Sequence, residues 1–238
     1  MMIIFYFRRR LKKNWQKKNS IVKWIVLLQI CLFCFGVLSS AITGEHFKLN
    51  NDVLSKAEKK YGKGAVNRLI QWEDLIRRDK SSTDSEKLEK VNDFFNKMEF
   101  VNDIDLWGVK DYWATPVEFI CRGAGDCEDF AIAKYFTLKA MGVSESKLNI
   151  TYVKAIQYNM PHMILTYYKK QGAEPLILDN LIDTIEPASK RNDLVPIFTF
   201  NGTGLWLAHQ RGQGKLAGSS SRITPWNDLL QRMSDNNI

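Results

Sequence analysis

Gly123-Ala-Gly-Asp-Cys-Glu-Asp-Phe-Ala-Ile-Ala-Lys-Tyr-Phe-Thr-Leu-Lys-Ala-Met-Gly142 is the stretch on which the reading of this chain turns. Its first two glycines permit a tight turn into a helix. Asp126-Cys127-Glu128-Asp129 then opens a helical run to Met141, and Gly142 closes it as the residue beyond the last turn. On its N-terminal side the chain reads as helices, and on its C-terminal side as strands.

Working toward the N-terminus, residues 101–125 break the periodicity. Trp107-Gly108, Trp113, Pro116 and Gly123 mark an irregular loop. Before it, residues 46–100 read as helices. Asn51-Asp52 caps a first one through about Lys60, Gly62 and Gly64 punctuate, and Val66, Leu69, Ile70 and Leu75 give a second. Thr83 with Glu86 three residues on is a capping-box pattern. Leu88, Val91, Phe94, Phe95 and Met98 follow at helical spacing as a core stripe, with interleaved Lys and Glu on a solvated face.

Working toward the C-terminus, Leu148–Ala155, His162–Tyr168, Pro175–Leu181, Leu194–Asn201 and Gly204–Ala208 are short, rich in β-branched and aromatic residues, and separated by turn-sized gaps. Such short connections favour antiparallel neighbours. Gly212–Ser221 is Gly/Ser-rich and reads as a flexible tail, and Trp226–Leu230 as a short final helix. The fold class is therefore α+β: N-terminal helices (about 46–142) packed on a twisted antiparallel sheet (about 148–210).

Residues 1–41 stand apart. They carry eight basic side chains and no acidic one, which accounts for the whole formal net charge of +8. The remainder is neutral, which removes the electrostatic support for a sequence-independent nucleic-acid binder. After the basic stretch, Trp24–Leu38 is apolar and Ser39-Ser40-Ala41 is small, the pattern of a secretory signal cleaved near Ala41. Fifteen helical residues span only ~22 Å, short of a ~30 Å hydrocarbon core; the alternative is an uncleaved N-terminal membrane anchor. Both place residues 42–238 across the membrane, either free or tethered to it.

In that oxidising compartment Cys121 and Cys127 read either as one disulfide or as a buried thiol beside a reactive one. The neighbourhood favours the second. Cys127 falls in the first helical turn, where the macrodipole and free N–H groups favour a thiolate and suit an oxyanion. Cys121 then reads as a small buried hydrophobe. A thiolate needs a proton partner, and His162 begins a predicted strand, with Asp179 near the end of the next. Adjacent antiparallel strands can set imidazole and carboxylate side by side. His209 has no obvious partner. Trp107, Trp113 and Trp206 read as buried aromatics, with a substrate groove as the alternative.

Gly125-Asp-Cys-Glu-Asp-Phe-Ala-Ile-Ala-Lys-Tyr135, His162-Met-Ile-Leu-Thr-Tyr167, Leu176-Ile-Leu-Asp-Asn-Leu181 and Pro196-Ile-Phe-Thr-Phe-Asn201 resemble the bacterial transglutaminase-like cysteine proteinases over roughly residues 50–210. The resemblance implies a papain/transglutaminase-like fold, with Cys127 as nucleophile, His162 as general base and acid, and Asp179 as the orienting carboxylate. It implies a substrate too: the N-terminal region of a large repeat-containing surface adhesin, cut at a dialanine site so that the adhesin is released and the biofilm disperses. An inner-membrane receptor sensing cyclic di-GMP is the implied sequestering partner. It further implies Ca²⁺, held by Asp126 and Glu128 with Asp129 a weaker contributor; hard carboxylates suit that ion and leave the thiolate alone. On the residues alone, Asp126 and Glu128 read as caps matched to the helix dipole. Asp103 and Asp105 are nearby acids without a place. Two rival activities remain open: transglutaminase or amidase acyl transfer, and a non-catalytic calcium-regulated binding module.

Overall fold

The computed structural model describes residues 47–207 and 214–235. The predicted secretory or anchor segment, His46 and His209 lie outside the described residues. No described helix is long and apolar enough to cross a membrane.

Three helices come first: α1 (Asn51–Tyr61), α2 (Lys63–Arg78) and α3 (Asp84–Phe95). The α1 cap is Asn50, one residue earlier than expected, its side chain accepting the Asp52 N–H. Gly62 ends α1 at φ +81°, whereas Gly64 lies inside α2. Both halves of the Thr83–Glu86 capping box are formed. The core stripe is real, with Leu88, Val91 and Phe95 buried. Its charged partners are not all solvated: Lys87 is buried as well.

Residues 101–125 are more ordered than an irregular loop. They hold a short α4 (Asp103–Leu106) and α5 (Pro116–Arg122). Thr115 and Glu118 make a second capping box, with Pro116 in the first turn, where its missing N–H costs nothing. β1 (Glu99–Phe100) and β2 (Ala124–Gly125) form a two-residue parallel pair. That pair clips the chain before α4 to the chain that leads into α6 (Cys127–Ala140).

α6 is the central helix. Phe130 through Tyr135 are buried without interruption, so it lacks an amphipathic stripe and must be covered on all sides. It packs on β3 (Leu148–Ala155) and β4 (Met160–Tyr167) on one side and on α2, α3 and α5 elsewhere. The strands that follow are β5 (Leu176–Leu178), β6 (Glu186–Pro187), β7 (Leu194–Phe200), β8 (Leu205–Leu207) and β9 (Leu216–Gly218). The sheet order is β6-β5-β4-β3-β7-β8-β9, antiparallel throughout. β9 corrects the flexible-tail expectation: Leu216–Gly218 pairs with β8 as an edge strand. The final helix, α7 (Thr224–Ser234), is longer than expected and buries Trp226 against Phe136, Tyr135 and Phe200.

One register detail positions the chemistry. β5 pairs with β4 only at Leu165–Tyr167, so among the described residues the first half of β4 has one edge free of a strand partner. Pro161, which donates no hydrogen bond, is tolerated within a strand for that reason. Asp179 follows β5 directly, next to this edge.

Candidate active site

Cys127 is the first residue of α6, where its sulfur receives a hydrogen bond from the Met163 backbone N–H on β4. Met163 follows His162 in the chain. The helix start is thus held against the free edge of β4, one peptide from the histidine. Gly125 permits the tight entry into this helix: a Cβ there would clash with the Asp129 carboxylate and the Phe119 ring.

His162 is buried, and its Nε2 lies 2.7 Å from Asp179 Oδ1. With Nε2–H donated to the carboxylate, Nδ1 is left as the basic nitrogen. Asp179 Oδ1 also accepts the Leu181 N–H (3.1 Å), and Oδ2 accepts from Arg191 Nη2 (2.7 Å). Burial alone would raise this carboxyl. The bond and charge of His162, the Leu181 N–H and Arg191 outweigh it and bring the pKa down to about 2. Asp179 is therefore an anion at any working pH. Its main chain is held from the other side. Lys134 Nζ (3.2 Å) and Asn96 Nδ2 (2.9 Å) donate to its carbonyl, and Lys134 also donates to Asn92 and Asn96 Oδ1.

The helix start is crowded with acids. The Asp126 side chain does not cap the helix, and its Oδ1 is buried with no partner among the described residues. Asp129 is fully buried; Oδ1 accepts the Ala114 N–H (2.7 Å) and Oδ2 has no partner among the described residues. Asp103, brought in on α4, accepts the Tyr112 N–H through Oδ2, and its Oδ1 has no partner among the described residues. Carboxylate oxygens of Asp103, Asp126 and Asp129 lie within 4.8 Å of one another, as do those of Asp103, Asp111 and Glu128. Burial, then mutual repulsion, pushes Asp126 up to about 10 and Asp129 well above its ordinary range. Burial likewise raises Asp103 to about 6, with Glu128 and Asp111 adding to it. Buried oxygens without donors, gathered at this spacing, are what a hard divalent cation requires. The capping interpretation of Asp126 thus fails, and Asp103 and Asp111 join the acids expected here. Asp105 belongs to none of these groups.

The thiol departs from expectation. Burial raises it well above its ordinary range, and the charges of Glu128 and Asp126 add to the effect. Cys127 Sγ donates to Glu128 Oε2 at 3.0 Å. With the protein's own groups alone, the helix-start field is outweighed by burial and by the acids around it. Cys121 is a buried free thiol, so no disulfide consumes Cys127. Trp113 is buried and stacks on Phe200; half-buried Trp107 lies against Tyr112 and Arg122.

A half-buried thiol at a helix start, set against an antiparallel sheet carrying a His–Asp pair, is the architecture of papain- and transglutaminase-like cysteine enzymes. Residues 71–194 match the family described as bacterial transglutaminase-like cysteine proteinase BTLCP, and the chain belongs to that family. Among solved structures it is similar to LapG of Legionella pneumophila, at 42% identity over 76% of this chain and 96% of that chain, with a TM-score of 0.67. The calcium-bound form of that protein matches at 43% identity over 78% and 99%, with a TM-score of 0.66. Its EGTA-treated form gives 42%, 76% and 96%, with a TM-score of 0.68. No curated protein sequence matches the chain.

Proposed function

We propose that this protein is a calcium-dependent periplasmic cysteine endopeptidase. It cleaves the N-terminal region of a large repeat-containing surface adhesin, releasing it and promoting biofilm dispersal, and an inner-membrane cyclic-di-GMP receptor restrains it by sequestration. The observation that carries the catalytic part is the 2.7 Å His162–Asp179 contact beside the peptide whose N–H meets the Cys127 sulfur. Likeness to LapG over nearly all of that chain supports the remainder.

His162 Nδ1 takes the Cys127 proton as the sulfur attacks the scissile carbonyl. The C–N bond breaks as the imidazolium protonates the departing amine, leaving a thioester. A water, deprotonated by His162, then attacks that thioester and releases the acid and the thiol. Asp179 fixes the tautomer and stabilises the imidazolium. Backbone N–H groups at the start of α6 stabilise the oxyanion. Asp126, Glu128, Asp129 and Asp103 would hold the Ca²⁺, whose charge would offset the carboxylates that burden the thiol.

Incubation of the purified protein with the recombinant N-terminal region of the largest repetitive surface protein of the same genome tests this reading. Mass spectrometry is expected to show two fragments with Ca²⁺, none with EGTA, and none with Cys127→Ala. A new isopeptide crosslink in place of cleavage would establish the transglutaminase alternative. Binding without either product would establish the non-catalytic one.

A further inference from the structure

Asp179 holds more than His162. Its second oxygen is taken by a buried guanidinium, and that guanidinium is itself held. Arg191 Nε donates to Asp193 Oδ1 (2.9 Å), and Nη2 donates both to Asp193 Oδ2 (2.8 Å) and to Asp179 Oδ2 (2.7 Å). Arg191 is 5% exposed and Asp179 1%. A side chain of this length, buried and committed to two carboxylates, has one orientation open to it.

We propose that Arg191, anchored by Asp193, is a positioning residue for the reaction: it clamps Asp179 Oδ2 so that Oδ1 stays aimed at His162 Nε2. The inference rests on the Cys127–His162–Asp179 reading given above. The physical argument concerns rotation. Without Arg191 the carboxylate would be held by His162 and by the Leu181 N–H, both on Oδ1. The two oxygens would then be free to turn about the Cβ–Cγ bond, and the orientation of the imidazole would loosen with them. Backbone clamping by Lys134 and Asn96 fixes where Asp179 sits but does not control that rotation. Arg191 also follows a short 3₁₀ turn (Ala188–Lys190), with its N–H bonded to the Ala188 carbonyl (3.1 Å), so its own backbone is tied down.

The test compares wild type with Arg191→Met and Arg191→Lys in the full chain. Two readouts are used: kinetics on the adhesin N-terminal fragment, and proton NMR of the strongly hydrogen-bonded His162 Nε2–H. Arg191→Met is expected to lower kcat about 10- to 100-fold with KM within about twofold, since geometry at the reacting group is lost and substrate binding is not. The downfield Nε2–H signal is expected to move or broaden while the amide spectrum stays that of a folded protein. Arg191→Lys keeps the charge but not the fork, and is expected to recover part of both. If Arg191→Met does not fold, Arg191→Lys is judged against wild type by the same criteria.

An unchanged Nε2–H signal and kcat in a folded variant would overturn the inference. So would an activity loss that merely tracks the unfolded fraction, because Arg191 would then be a loop staple. Cys127→Ala and Asp179→Asn run in the same assay separate the two claims. Full activity in those variants sinks the triad itself. Inactivity there, with Arg191→Met unaffected, sinks only the role of Arg191. The proton signal decides even where the fragment is not cleaved.

Discussion

On the sheet side of the site, Asp179 has both carboxylate oxygens occupied, one by His162 and the Leu181 N–H and the other by Arg191. On the helix side, Asp103, Asp126 and Asp129 each carry a buried oxygen with no partner among the described residues. One group of buried carboxylates is matched by cations within the chain, and the other is not. The contrast explains why their titrations part: Asp179 is drawn down to about 2, whereas Asp126 is pushed up to about 10. The sheet side is preorganised by the fold alone, and the helix side keeps buried acids that repel one another.

The largest effect that could break this contrast is expected at Asp179. Asp179→Asn should lower kcat at least about 1,000-fold. It should also destabilise the fold by about 3–5 kcal/mol, because a buried Arg191 loses a charged partner. Kinetics and urea denaturation check both, and a variant as stable as wild type would dissolve the matched-charge account. Next comes the helix side. Saturating Ca²⁺ should stabilise the wild type by about 4 kcal/mol at 1,000-fold excess over its dissociation constant, seen as a rise in Tm. Asp126→Asn with Glu128→Gln should erase that rise. An equal rise in the double variant would move the ion elsewhere.

A smaller effect lies in acid. The ordinary aspartate value is 3.8 and that of Asp179 in the fold is about 2. Its stabilisation is therefore complete above the ordinary value and is lost as pH falls from there through the lower one. Between those limits, in Ca²⁺, wild type should lose ~2 kcal/mol more than Asp179→Asn. Parallel stability curves for the two proteins would contradict the assigned shift. Smallest of all, Cys121→Ala should cost about 1 kcal/mol and leave cleavage intact, as a buried thiol outside the chemistry. A cleavage defect there would require Cys121 in the mechanism.

What the sequence made legible follows from how local each signal is. Cys127, His162 and Asp179 each sit inside a short block with its own pattern, a helix start or a strand end, so each stood out locally as a candidate, and the family resemblance joined the three. Thr115-Pro116-Val117-Glu118 carried the same capping signal as Thr83–Glu86, so α5 could have been read from it, but the neighbouring Trp and Gly obscured it. Arg191 and Lys134 were not legible. Lys134 reads as one charge on an ordinary helix, and only the packing of α6 on all sides buries it. Asp103 and Asp111 depend on a two-residue parallel pairing, β1 with β2, too short to leave any periodicity. The raised thiol is illegible for a related reason: a helix start favours a thiolate in isolation, whereas burial and the acids gathered around this one come from tertiary structure.

Peptide mapping after labelling with an alanyl-alanine acyloxymethyl ketone, in saturating Ca²⁺, reaches the central claim most directly. The account predicts stoichiometric modification of Cys127, lost with His162→Gln and suppressed by EGTA. Label found on Cys121, or on Cys127 at an undiminished rate when His162 is replaced, would contradict it.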